Sequence, residues 1–154
     1  MSSERRVSII GVLKDEHKII LERLDRLEAA VRGTQIDKQE VESFLHFGET
    51  FAEPHHEKEE KVLFPALEKK GVPNEGGPIG CMLSEHMAKR EYVKNLKTAL
   101  EGNNQDNVRK NAMAIVALLR DHISKEDNIL YPMAKQVLNS DELKDLAEQC
   151  DNLE

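Results

Sequence analysis

The sequence predicts an all-α protein, an up-down-up-down four-helix bundle with a short C-terminal helix. Four long segments repeat apolar residues every three or four positions, and no segment alternates apolar and polar residues as a strand would. The connections between the segments are short and contain Gly, Pro or Asn, so successive helices should be antiparallel neighbours. A chain of 154 residues is expected to form a single domain, residues 1–154.

The first two helices have clear ends. The first is expected over 7–31, where Leu13, Leu24 and other apolar residues form one face, and Gly33 ends it. The second is expected over 37–70, with Asp37 as its N-cap.

The last three helices follow a glycine-rich connection at 71–80. The third is expected to begin at Pro78 or Ile79 and to end at Leu100. The fourth is expected over 105–138, and a short fifth helix should follow Ser140 as its N-cap. Pro65 and Pro132 fall inside otherwise helical patterns, so each predicts a kink or break.

Composition excludes several classes of protein. The formal net charge of −7 gives no long-range attraction for nucleic acid or anionic lipid. No apolar run approaches the roughly 18 residues that a membrane span needs, and no signal peptide is evident. Cys81 and Cys150 lie far apart and form no paired framework, which favours a cytoplasmic protein. We therefore expect neither a nucleic-acid partner nor a membrane partner.

The two halves of the chain resemble each other. The segment from Lys58 to Pro65 matches the segment 67 residues later, from Lys125 to Pro132, and the same offset aligns His55 with His122. Glu16-His17 matches Glu85-His86 at an offset of 69 residues. Each half is therefore a helical hairpin, and because a hairpin cannot bury its apolar face alone, the two should pack about a pseudo-two-fold axis.

Polar residues that can bind metal interrupt the apolar faces at matching places. On the fourth helix this face runs through Leu119, His122, Glu126, Ile129 and Met133. A buried carboxylate is costly unless it is paired or bound to a metal. The candidate metal ligands, drawn from all four helices, are His17, His55, Glu59, His86, His122 and Glu126.

This donor set favours two metal ions over one. Six ligands are too many for one tetrahedral zinc, whereas mixed imidazole and carboxylate donors with open positions suit iron or manganese. Two ions that share bridging carboxylates would use the set economically, and bundle cores hold such sites.

Two positions stay open at this level. His56 and Glu60 are also four residues apart and could replace His55 and Glu59, although the repeat aligns His56 with Ile123. Asp127 likewise competes with Glu126. Glu16 and Glu85, each directly before a histidine, are candidates for orienting the imidazoles, although the helical pattern points them elsewhere.

These motifs resemble the hemerythrin family, and more closely its bacterial hemerythrin-like, HHE cation-binding branch. The resemblance rests on the run from His55 to Pro65, on Glu85-His86 and on the run from His122 to Pro132, and it covers about 7–138. It implies a four-helix bundle that holds an oxo- or hydroxo-bridged di-iron pair. Carried over by position, the ligands are the six residues given above, with Mn or Zn as alternative metals.

One position departs from the family pattern. Oxygen-carrying hemerythrins have a second histidine four residues after the one in the third helix, and here that residue is Arg90. Arg90 cannot bind a metal because it stays protonated, but it could pair with a bridging carboxylate or hydrogen-bond a bound oxygen species. Reversible oxygen carriage is therefore less favoured than in those relatives.

The sequence leaves three hypotheses for function. The first is a di-iron protein that interacts with O2, NO or peroxide, with turnover if it is an enzyme. The second is an iron-storage or iron-sensing module without turnover. The third is a helical interaction module without metal. No feature identifies a protein partner.

Overall fold

Five helices form the part of the chain that the computed structural model describes, residues 8–153. They are α1 (Ile9–Arg32), α2 (residues 38–69), α3 (Gly77–Glu101), α4 (residues 105–137) and α5 (Ser140–Asp151). Within 8–153 there is no strand, and no helix is long and apolar enough to cross a bilayer. The predicted all-α bundle is confirmed. The expected start of the first helix at Val7 lies outside the described residues.

Side chains cap the helix starts. The Asp37 carboxylate accepts a hydrogen bond from the Glu40 backbone N–H, as its predicted N-cap role requires. The prediction that Ser140 caps α5 is wrong by one residue. Asn139 is the cap, because its side chain accepts from the Glu142 backbone N–H while the Glu142 carboxylate accepts from the Asn139 backbone N–H.

Three widened π turns interrupt the long helices. They occupy Gly48–Ala52 and Glu59–Leu63 in α2, and Glu126–Leu130 in α4. Each is followed, after one residue, by a proline: Pro54, Pro65 or Pro132. Proline has no N–H for the helical bond, and its ring would clash with the carbonyl four residues earlier. A turn closed by a bond between residues five apart removes that conflict, so the helix continues through the proline.

The π turn in α4 changes which residues face the core. The regular helical period places Ile129 inside, yet Ile129 is 58% exposed and the next residue, Leu130, is 1% exposed. Likewise Ala134 is fully buried whereas Met133 is only half-buried. The expectation that Ile129 lies on the buried face is wrong because the π turn adds one residue to the turn and moves the apolar stripe by one position.

Apolar residues form two clusters, one on each side of a polar layer. In α1, Leu13 belongs to one cluster and Ile20 to the other, with His17 between them. In α4, Leu119 and Leu130 occupy the two clusters in the same way. The helix α5 adds its apolar face, including Leu143, Leu146 and Cys150, to the cluster that contains Leu13. The polar layer is therefore enclosed in the middle of the bundle.

The shifted register can be tested with two neighbouring residues. We expect Leu130→Ala to lower the free energy of unfolding by about 2–5 kcal/mol, because a buried leucine is removed. Ile129→Ala, the matched control, should change it by less than about 1 kcal/mol, because the side chain is mostly exposed. Urea unfolding of both variants in the same metal state measures this. A larger loss for Ile129→Ala would contradict the register.

Candidate metal centre

The polar layer contains seven side chains that can bind a metal, and each is at most 2% exposed. Five are imidazoles and two are carboxylates. They are His17, His55, His56, Glu59, His86, His122 and Glu126.

These side chains form overlapping groups of potential ligands. One group comprises His17, His55, Glu59 and Glu126, and their ligand atoms lie within 4.8 Å of one another. A second group, equally close, comprises Glu59, Glu126, His86 and His122. His56 forms a third group with His86 and His122. Glu59 and Glu126 are common to the first two groups, so the layer offers two candidate metal positions that would share two carboxylates. We call them the first position (His17, His55) and the second position (His56, His86, His122).

The local fold brings these donors together. Glu59 and Glu126 are each the first residue of a π turn, and each accepts the i+5 backbone hydrogen bond that closes it. His55 and His56 are consecutive in Glu53–Lys58, an α-helical segment between two π turns. Widened turns on both sides change the face that α2 presents, and the adjacent histidines are both buried.

Four of the five buried imidazoles bond to a carboxylate through Nδ1. The pairs are His17 with Asp127 at 2.8 Å, His55 with Glu16 at 2.8 Å, His86 with Glu60 at 2.7 Å, and His122 with Glu85 at 2.8 Å. An ionised carboxylate only accepts, so Nδ1 donates in each pair, and in a neutral imidazole Nε2 then carries the lone pair. This arrangement fixes the tautomer that can bind a metal through Nε2.

The carboxylate partners follow the repeat of the sequence. Glu16 and Glu85 directly precede a histidine of their own helix, yet each reaches across to a histidine of the following helix. Lys58 and Lys125 donate to Glu16 and Glu85 in turn. The expectation that Glu16 and Glu85 point away from the adjacent histidine of the same helix is right. Each nevertheless orients an imidazole of the layer, on the following helix.

Several atoms in the layer lack a good partner unless a cation is present. His86 Nε2 and His122 Nε2 are 3.2 Å apart, although both nitrogens carry lone pairs when their Nδ1 atoms donate to carboxylates. Within 8–153, Glu59 Oε1, Glu126 Oε2 and His56 Nδ1 are buried without a hydrogen-bond partner. Leaving such groups unsatisfied costs free energy. Metal ions between these atoms would satisfy them, so the residues fit a metal pair.

The pKa values of the buried groups show how the layer balances its charge when no metal is bound. Burial and the negative charge of Glu59 raise the pKa of Glu126 well above its usual range. Burial lowers the pKa of His17, but its hydrogen bonds to Asp127 and Glu126 outweigh this effect and raise the pKa to about 9. Burial and the neighbouring His86 and Lys89 lower the pKa of His56, which keeps it neutral. Without metal, protons therefore balance the buried charge at the first position.

A tyrosine completes the layer. Tyr131 is fully buried, and its hydroxyl donates to Glu59 Oε2 at 2.6 Å. The Tyr131 hydroxyl oxygen also lies 3.2 Å from His17 Nε2 and 3.4 Å from Glu126 Oε1. Sequence reasoning used Tyr131 only as part of the repeat, where it aligns with Phe64.

The structure brings all six sequence-predicted ligands into this layer. Of the competing residues, Glu60 and Asp127 lie outside it and bond to the Nδ1 atoms of His86 and His17. His56 is different, because the sequence treats it as an alternative to His55 whereas both are buried in the layer. The repeat argued against His56 because its counterpart is Ile123. Pro54, two residues before His56, was the available signal, since it predicts a change of register there.

Arg90 does not contact either carboxylate shared by the two positions. Its guanidinium bonds to Glu53 and Glu60, and Glu60 in turn accepts from His86 Nδ1. The hydrogen bond from His86 and the adjacent Arg90 lower the pKa of Glu60 to about 2, so Glu60 is ionised when it holds His86. This chain has Arg90 where a second histidine of α3 would lie, and His56 of α2 supplies the fifth buried imidazole instead.

The comparisons with known proteins agree with this geometry. Residues 8–134 match the family model described as the hemerythrin HHE cation-binding domain. A search of curated proteins gave no match. The matched range includes every side chain of the polar layer and most of the described chain. The chain therefore belongs to the hemerythrin HHE cation-binding domain family, and the histidine and glutamate groups at its centre could hold metal.

Proposed function

We propose that this chain binds two iron ions in the bundle core and that the di-iron centre interacts with O2, NO or peroxide. The observation that supports it best is the pair of donor groups that share Glu59 and Glu126. His17 and His55 would hold the ion at the first position, and His56, His86 and His122 the ion at the second. Imidazole and carboxylate donors suit iron, and Mn or Zn could use the same atoms.

The residues around the layer would keep the centre reactive but protected. A ferrous pair, when bound, supplies two electrons to a small molecule. The apolar clusters on both sides of the layer restrict water, and their low polarity strengthens every electrostatic interaction within it. The ionised Glu16, Glu60 and Glu85 hold three of the imidazoles in orientation.

A surface pocket supports access to the second position. It has a volume of about 330 Å³, and Phe44, Ala52, Val93 and Leu119 give it a largely apolar wall. Ala52 lies one helical turn before His56, and Leu119 lies one turn before His122. We therefore propose that a small uncharged molecule approaches from this side, past the ion pair between Lys89 and Glu53.

Metal content and reactivity test the proposal together. Protein purified from iron-supplemented cells should contain about two irons per chain, with near-ultraviolet charge-transfer bands that change on addition of peroxide, azide or NO. Two irons with no spectral response would instead favour the storage or sensing role. A chain that binds no metal and stays helical in chelator would contradict both.

The role of His56 can be separated from general effects of histidine loss. We expect His56→Ala to reduce bound iron from about two ions per chain toward one, because the second position loses a donor and keeps His86 and His122. His46→Ala is the matched control, because His46 is exposed and outside the layer. Elemental analysis and circular dichroism measure metal content and folding. Full iron content in a folded His56→Ala variant would exclude His56 as a ligand.

Metal removal should lower stability. A ligand present at 100 times its dissociation constant adds about 2.7 kcal/mol to the free energy of unfolding. For a domain of this size, a chelator should therefore lower the melting temperature by about 5 °C or more. His122→Leu should show a much smaller chelator effect, because it removes an inner donor. Equal melting temperatures for wild-type protein with and without chelator would contradict metal binding.

A further inference from the structure

The two metal positions differ in their surroundings although the outer carboxylates follow the repeat. At the 67-residue offset, His56 aligns with Ile123 and Tyr131 aligns with Phe64. His56 adds a third imidazole to the second position. Phe64, on the side of that position, stacks near His86 with ring centroids 6.2 Å apart. The first position has two imidazoles, and the buried hydroxyl of Tyr131 lies beside them.

The distances around the Tyr131 hydroxyl are those between ligands of one ion. When metal–ligand bonds are about 2.0–2.2 Å, neighbouring ligand atoms at right angles lie about 3 Å apart. The Tyr131 oxygen lies 2.6 Å from Glu59 Oε2, 3.2 Å from His17 Nε2 and 3.4 Å from Glu126 Oε1. His17 Nε2 and Glu126 Oε1 are 2.9 Å apart. The Tyr131 oxygen therefore lies at ligand-to-ligand distance from three donor atoms of the first position.

We propose that Tyr131 is a direct ligand of the metal ion at the first position and binds it as a phenolate, an inference that rests on the proposed two-metal centre. The O–H bond of the phenol breaks as the metal–oxygen bond forms, and one proton per chain is released to solvent. No electron is transferred in this step. Each position then has three donors of its own besides the shared carboxylates: His17, His55 and Tyr131 at the first, and His56, His86 and His122 at the second.

The other role open to Tyr131 is positional, because its hydroxyl could donate to Glu59 without touching the metal. The two roles differ in one spectroscopic property. A phenolate bound to ferric iron has a visible phenolate-to-iron charge-transfer band, and excitation in that band enhances the phenolate ring vibrations in the resonance Raman spectrum. A phenol that only donates a hydrogen bond to a carboxylate has neither feature.

The experiment uses the full chain loaded with ferric iron, with iron content measured in every sample. Wild-type protein should show the visible band and the phenolate Raman modes. Tyr131→Phe should lose both while it keeps its helical content and binds iron. Tyr92→Phe is the matched control, because Tyr92 is the other tyrosine of the chain and packs against the apolar cluster that contains Ile20. It should keep both features unchanged.

The outcomes separate this inference from the proposed function. About two irons per chain without phenolate modes in wild-type protein would overturn the ligand role of Tyr131 and leave the di-iron centre standing. Phenolate modes that persist in Tyr131→Phe and disappear in Tyr92→Phe would overturn it as well. A chain that binds no iron would overturn both proposals.

Discussion

The burial of two carboxylates between apolar clusters is the constraint on which the rest of this structure depends. Glu59 and Glu126 are fully buried, and each has an oxygen that no hydrogen bond satisfies within the described part of the chain. Such groups are tolerated when a cation or a proton balances them. The converging imidazoles supply nitrogen atoms that can bind the cation or carry the proton, and the outer carboxylates hold these imidazoles in orientation. A bundle without metal would be better served by apolar residues in the same layer.

The prolines determine how the helices place the two buried carboxylates. Pro65 and Pro132 each follow a π turn that begins at a shared carboxylate, so the same backbone feature sets Glu59 and Glu126 at equivalent depths. A break at these prolines would separate each carboxylate from the apolar residues that follow it. The π turn keeps the helix continuous and places Leu130 in the core. The π turns therefore set both the register of the helices and the placement of the two carboxylates.

Sequence periodicity predicted the helices well because apolar spacing and capping residues act locally. Six residues that meet in the layer could be found because each interrupts an apolar stripe, and the repeat supports them. The misplacement of Ile129 came from applying a regular period across a π turn. The sequence offers His56 only as an alternative to His55 and does not single out the hydroxyl of Tyr131, because both break the repeat, and a repeat can only indicate what its two halves share. Long-range contacts such as Glu16 with His55 were not readable from a single helix face.

The departures from symmetry therefore carry the most functional information. Four outer carboxylates are related in pairs by the repeat: Glu16 with Glu85, and Glu60 with Asp127. They bond to the imidazole Nδ1 atoms in the same way at both positions. The inner layer does not, because one half contributes His56 and the other contributes Tyr131. Three imidazoles would favour the lower oxidation state of an ion more than two imidazoles and a phenolate, the role proposed for Tyr131, would. Two ions held in such different surroundings would differ in redox behaviour, and a small molecule that arrived beside the second position would meet the more reducible ion first.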